Sequence, residues 1–258
     1  MNANPDDRYS RQRLFEKIGE EGQRKLAAGR IVVVGCGALG SMIANNIVRA
    51  GVGHVLLVDR DVVELSNLPR QQLFDESHAA NRVPKAVAAR DRLHEINSEM
   101  ELRAEVIDVT PANIEALVDG VDLILDGTDN METRFLINDV SVKHGVPWIY
   151  GGAVGASGMT MTVLPGDTAC LTCVLEECPP PGTVATADTD GVLNSLTAVV
   201  ASLQTTEAMK ILMGGEQIRR EILYIDVWEG TFRSIHAERR DDCLTCARHE
   251  YTFLNATS

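Results

Sequence analysis

The sequence predicts an α/β fold: a doubly wound, mostly parallel sheet extended by antiparallel strands. Three observations carry that prediction. A β-branched run, Ile31–Val34, leads into Gly35-x-Gly37-x-x-Gly40 and then into a helical pattern of small residues. Up to Tyr150 the apolar patterns alternate as β-α-β-α-β-α-β-α-β, as in a parallel sheet with helices on both faces. Beyond Gly151 the crossover helices stop and short strand-like pieces succeed one another, as antiparallel strands do. With 258 residues, one continuous unit over 1–258 is the simplest organisation.

Arg8–Arg30 reads as one or two short helices broken near Gly19 and Gly22. Ile31–Val34 is the first strand, and Leu39–Ala50 is the first crossover helix, stopped by Gly51. Val55–Asp59 is the second strand and Val62–Leu73 an irregular polar loop. Pro84–Ile96 is a helix with Pro84 in its first turn, where a missing N–H is tolerated. Glu101–Ile107 alternates as a third strand. Thr110 and Pro111 open a helix as N-cap and N1. Val121–Asp126 is a buried fourth strand, Met131–His144 a helix closed by Gly145, and Trp148–Tyr150 a short apolar strand. Gly151–Ala156 and Met159–Leu164 are strand-like. Glu176–Asp190, with Pro179-Pro180-Pro181, lacks periodicity and reads as a mobile loop, about 174–191. Asn194–Met213 is a helix with Leu196, Val199, Val200 and Leu203 on one face. Glu221–Val227 and Thr231–His236 form a terminal hairpin.

The net charge of −13 argues against a general binder of nucleic acid or anionic membranes, which needs clustered positive charge. The N-terminal stretch has no apolar core of signal-peptide length. Val192–Met213 is interrupted by Gln204, Glu207 and Lys210, so no membrane span is expected. The expected compartment is the cytoplasm. Of the six cysteines, four form Cys170-x-x-Cys173 and Cys243-x-x-Cys246. In a reducing compartment two such pairs supply the four thiolates of a structural Zn2+ site, with four unrelated thiols as the alternative. Cys36 reads as packing.

The glycine turn suits a phosphate, because the backbone can approach it and the helix N-terminus supplies free N–H groups. Asp59, ending the next strand, is placed to bind a ribose hydroxyl; a solvated loop acid is the bland alternative. The loop Asp59-x-Asp61…Ser66-Asn67-Leu68-Pro69-Arg70-Gln71 is the more specific feature. A nicotinamide-dependent oxidoreductase would explain the glycines and Asp59 but needs no such loop. An enzyme that breaks a triphosphate needs cations near the departing pyrophosphate, and Arg70 and Lys85 suit that task. In Asp126-Gly127-Thr128-Asp129-Asn130, Asp129 is suited to hold Mg2+, or to cap the helix that follows.

Together these motifs resemble the adenylyltransferases that activate ubiquitin-like sulfur-carrier proteins: the molybdopterin-synthase and thiamine-biosynthesis enzymes, relatives of ubiquitin-activating enzyme. The resemblance spans nearly the whole chain, from Arg8-Tyr9-Ser10-Arg11-Gln12 through the glycine turn, the Ser-Asn-Leu-x-Arg-Gln loop, Val83-Pro84-Lys85-Ala86 and Thr128-Asp129-Asn130 to both cysteine pairs. It implies a Rossmann-like nucleotide-binding half (31–150) behind N-terminal helices (8–30), and a carrier-binding and zinc half (151–258). It implies ATP contacts from Gly35, Gly37, Ala38, Gly40, Asp59, Asp61, Asn67, Arg70, Gln71, Lys85, Asp129 and Asn130. Adenylation of the carrier's C-terminal glycine would use Asn67, Arg70 and Lys85 on the phosphates, Asp129 on Mg2+, and Arg11 from a second subunit of a homodimer. The implied partners are a carrier ending in Gly-Gly and a downstream sulfurtransferase. Relatives that bind the carrier covalently have a loop cysteine near the position of Ala187. None is there, so the expected product is the adenylate alone, with Cys178 as a substitute nucleophile the weaker expectation. A non-catalytic relative, or an adenylyltransferase for a peptide or tRNA, is the alternative.

Overall fold

Alternate residues of the central strands enter two different cores. Ile31, Val33, Leu123 and Leu125 pack into one; Val32, Val34 and Ile124 pack into the other. A sheet buried on both faces requires such unbroken apolar runs, which is why these strands read so clearly. In the computed structural model the described residues are 7–180, 182–215 and 217–256. Residues 1–6 and Pro181, which bear on the leader and proline-run expectations, lie outside them.

The elements run α1 (Ser10–Arg13), α2 (Gly19–Ala28), β1 (Arg30–Val34), α3 (Ala38–Ala50), β2 (His54–Val58), α4 (Glu76–Ala80), α5 (Lys85–Ile96), β3 (Glu101–Glu105), α6 (Ile114–Leu117), β4 (Leu123–Asp126) and α7 (Met131–His144). Then come β5 (Trp148–Val154), β6 (Ser157–Val163), α8 (Leu171–Leu175), α9 (Ala187–Asp190), α10 (Asn194–Leu212), β7 (Ile222–Asp226) and β8 (Thr231–Ile235). The sheet order is β3-β2-β1-β4-β5-β6-β7-β8. Pairing is parallel from β3 to β5 and antiparallel from β5 to β8. Helices α3, α5 and α10 pack together over one face, and α6, α7 and α8 over the other. Among the described residues no helix is long and apolar enough to cross a membrane. Gln204 and Glu207 of α10 are buried in polar contacts: Gln204 Nε2 donates to the Asp126 and Ile149 carbonyls, and Glu207 accepts from the Arg219 amide.

Four local expectations are corrected. Gly22 does not break a helix; it lies inside α2, where a Cβ would meet Met213 Sδ at 2.7 Å, so it permits close packing. Residues 148–156 do not split: one strand, β5, pairs with β4 at its start and turns through Gly155 into β6. Pro111 lies in a turn, and α6 is a single helical turn that starts after Asn113, whose Oδ1 accepts from the Thr110 amide of that preceding turn. Pro84 stands at the N-cap of α5, and the helix begins at Lys85.

The strand order reverses between β1 and β4, which opens a crevice at their C-terminal ends. There the backbones touch. Gly35 has φ +86°; a Cβ at Gly40 would collide with the Gly35 carbonyl oxygen, and one at Gly127 would lie 2.7 Å from Gly40 Cα. Gly40→Ala is therefore expected to cost about 2 kcal/mol or more, read as a lower urea midpoint at unchanged slope.

Candidate active site

One cavity of about 1490 Å³ occupies this crevice. Its wall is built from the ends of the strands and the loops that leave them. The β1 end contributes Gly35, Gly37 and Ala38; the β2 end contributes Asp59, Asp61, Asn67, Arg70 and Gln71; the β4 end contributes Thr128, Asp129 and Asn130. Lys85 joins them from the start of α5. The far wall is made of Tyr150, Gly152, Ala153, Ser157, Gly158 and Met159 on β5 and β6.

Gly37 differs from its neighbours in the turn. A Cβ there would meet Gln71 Nε2 at 3.8 Å and nothing closer, so the protein itself does not demand a glycine. What the missing side chain leaves open is the cavity, at the N-terminus of α3, where unpaired amides face it. That cradle fits a phosphate. Asp59 holds the turn in place: its two oxygens accept from the Cys36 and Asp61 amides, each at 2.7 Å. Burial raises its pKa, against the opposing pull of those amides and of Lys85. Cys36 is fully buried in the core below, as expected for packing.

The loop after β2 is tied to α5. Val62 bridges Pro84, the Lys85 amide donates to the Asp61 carbonyl, and Lys85 Nζ lies 2.9 Å from Asp61 Oδ2. Lys85 is thus a buried cation with its own acid, aimed by backbone pairing. Asn67 is also buried; its Oδ1 accepts from the Glu64 amide and closes a capping box over the 3-10 turn Leu65–Asn67. Its Nδ2 makes no hydrogen bond among the described residues. The Arg70 guanidinium is held by the Ser66 carbonyl at 2.9 Å and forms no ion pair among the described residues. Gln71 is buried with Oε1 unpartnered.

Asp129 is not the cap of α7. Asn130 is: its Oδ1 accepts from the Thr133 amide at 2.8 Å. Asp129 is left exposed on the cavity wall with no side-chain partner among the described residues, which suits a cation ligand. The loop that presents it rests on an ion pair that sequence reasoning missed. Asp126 is fully buried, and its Oδ2 lies 3.0 Å from Arg134 Nε. Arg134 also donates to the Thr128 and Gly151 carbonyls and lies over the Tyr150 ring. Burial works against its charge, but Asp126 leaves its pKa raised. The available signal was an acid ending a buried strand eight residues before an arginine on the next helix.

Arg11 is elsewhere. Its neighbours Tyr9 and Gln12 pack at the C-terminal end of α3, where Gln12 donates to the Ala50 carbonyl and Tyr9 accepts from Asn97. Thirteen residues of α3 separate that end from the glycine turn, about 20 Å. Arg11 is exposed and does not line its own chain's cavity. Cys178 does not line it either: it is half-buried against the second core, and burial raises its thiol pKa. Neither feature suits a nucleophile.

The four paired cysteines do meet. Cys170, Cys173, Cys243 and Cys246 are buried with all four sulfurs within 4.8 Å of one another. Three of the sulfur pairs are 3.8, 3.6 and 3.4 Å apart, near the roughly 3.8 Å edge of a zinc–thiolate tetrahedron. Burial and the adjoining sulfurs push the Cys246 thiol up, and a bound dication would reverse that. Behind the sulfurs, Asn138 Oδ1 accepts from the Leu171 amide, and Thr245 joins Thr172 to Asp139. The donor set and its support fit zinc.

The ThiF family model matches residues 9–245 of the chain. Over 250 residues the chain is 44% identical to the sulfur carrier protein ThiS adenylyltransferase of Bacillus subtilis, covering 96% of this chain and 74% of that protein. It is 36% identical to the SAMP-activating enzyme E1 of Haloferax volcanii, covering 95% and 90%. The sulfur carrier protein adenylyltransferase of Thermus thermophilus is also 36% identical, covering 93% and 90%. The structure of E. coli MccB with ATP superposes with a TM-score of 0.80 at 22% identity, over 94% of this chain and 75% of that one, a likeness of fold.

Two outcomes are expected. Gly37→Ala should leave stability within about 1 kcal/mol of the parent while weakening ATP binding about tenfold, measured by titration calorimetry. Chelation at neutral pH should release about one zinc per chain, read by atomic spectrometry, and lower the melting temperature by about 10 °C or more.

Proposed function

The chain belongs to the ThiF family, and from that membership and the site's geometry we propose that it adenylates a ubiquitin-like sulfur-carrier protein. The observation that carries this reading is the convergence of Arg70, Lys85 and Asp129 on the cavity that the glycine turn opens. Hydride transfer would leave all three without a task. The cavity also exceeds the roughly 300–1,000 Å³ of a small-molecule site. The wall continues along the small residues Gly152, Ala153, Ser157 and Gly158 of β5 and β6, which we assign to an extended Gly-Gly tail.

ATP sits with its phosphates on the Gly35–Gly40 turn and its ribose against Asp59. The carrier's terminal carboxylate attacks the α-phosphorus; the bond to the bridging oxygen breaks and pyrophosphate leaves with the electron pair. Asn67 donates its free amide, and Arg70 and Lys85 face the charge that develops on the phosphates, in a site where cations are pre-aimed. Lys85 needs no reorganisation because Asp61 and the backbone already hold it. Mg2+ held by Asp129 would neutralise triphosphate charge and align the leaving group. Gln71, Ala38 and Asn130 complete the nucleotide wall.

Residues 31–150 serve the nucleotide and 151–258 the carrier and the metal. Ala187, on the cavity wall, stands where covalent relatives have a cysteine, and Cys178 is turned away, so the product is the free adenylate, handed to a sulfurtransferase. A homodimer supplies Arg11 across the interface; the distance along α3 supports this, since Arg11 does not line its own cavity. The four reduced, clustered cysteines support a cytoplasmic location. The acidic charge gives nucleic acid no footing.

ATP–pyrophosphate exchange tests the reading. It should depend on one small carrier ending in Gly-Gly and fall at least about 100-fold in Arg70→Ala. Exchange absent with every carrier, despite ATP binding, would overturn it.

A further inference from the structure

Helix α4 ends in a complete Schellman closure. The Val83 amide donates to the His78 carbonyl at 3.0 Å, and the Arg82 amide to the Ala79 carbonyl at 3.2 Å. The left-handed position in such a closure favours glycine, which has no Cβ to crowd the carbonyl. Here it is held by Arg82, with φ +46°. An arginine there costs stability relative to glycine, so something other than folding accounts for it.

Packing does not. The side chain is 67% exposed, and its ion-pair partner is Glu64 at 3.5 Å, itself 52% exposed. A pair so open to water contributes little. What Arg82 has is position. It lines the same cavity as Arg70 and Lys85 and lies three residues before Lys85, on the segment that the Val62–Pro84 bridge fastens to the loop after β2. Each cation has an acid from that loop beside it: Asp61 lies 2.9 Å from Lys85 and Glu64 3.5 Å from Arg82. Lys85 is buried and Arg82 stands at the rim.

We propose that Arg82 is a further phosphate-binding residue, meeting the pyrophosphate half of the triphosphate, and the released pyrophosphate, at the mouth of the cavity. The inference rests on the reading that this cavity takes a triphosphate. It differs from the roles given to Arg70 and Lys85 because it predicts a residue whose loss weakens the ligand while strengthening the fold.

The test is titration of the full chain with pyrophosphate and magnesium, beside thermal unfolding, for the parent, Arg82→Gly and Arg82→Lys. Arg82→Gly is expected to weaken pyrophosphate binding about five- to tenfold, with a melting temperature unchanged or raised by about 2 °C. Arg82→Lys, which keeps the charge, should fall between. Parent protein that binds no pyrophosphate, an Arg82→Gly affinity within twofold of the parent, or a loss of affinity accompanied by a lowered melting temperature would each overturn the proposal. Pyrophosphate binding that depends on Arg82, in a protein with no carrier-dependent exchange, would keep it and remove the adenylation reading instead.

Discussion

The contact on which the rest depends is backbone against backbone: the turn Gly35–Gly40 lies against Gly127. No side chain fits between them, so β1 and β4 leave the sheet in contact and their loops diverge around one crevice. Every group placed in the site is referred to that contact. The glycine turn sets the floor, the loop after β2 folds over one side, and the loop after β4 carries Asp129 along the other. A single methyl group at the contact would shift all three.

The charges are then arranged in pairs of unequal burial. Asp126 and Arg134 are both buried, and further hydrogen bonds from Thr128 and to Gly151 satisfy them. Such a pair contributes geometry more than stability, since its desolvation offsets most of its attraction. It sets the β4 loop against β5. Lys85 and Asp61 sit at the next level, one buried and one exposed, so the cation is oriented yet able to meet a phosphate. Among the described residues Arg70 is held by a carbonyl and by no acid, which leaves its charge unpaired.

Helix α7 joins the cavity to the cysteine cluster. Asn130, Arg134 and Asn138 recur every four residues along one face. The first caps the helix beside Asp129, the second locks the β4 loop, and the third accepts the amide of Leu171 between the cysteines. Asp139 accepts from Phe253 and Leu254 and so ties down the chain beyond the second cysteine pair. The cysteine cluster lies outside the cavity wall, but one helix carries side chains that support both.

Periodicity and punctuation determined much of this protein by themselves. Ile31–Val34 could only be a strand buried on both sides, Gly51 and Gly145 marked helix ends, and the two cysteine pairs foretold a cluster, because these signals are local or depend on residue type alone. Asp59, Asn67, Arg70, Lys85 and Asp129 were legible as one site because motif order puts them at strand ends that a parallel sheet gathers to one edge. Tertiary structure decided the rest. It chose Asn130 over Asp129 as the cap, fused Trp148–Tyr150 with the glycine-rich piece after it into β5, buried Arg134 against Asp126, and held Arg82 in a left-handed turn. It also set Arg11 a helix length from the cavity. Each of these depends on which backbone lies across from which, and that is established only when the sheet closes and the helices pack.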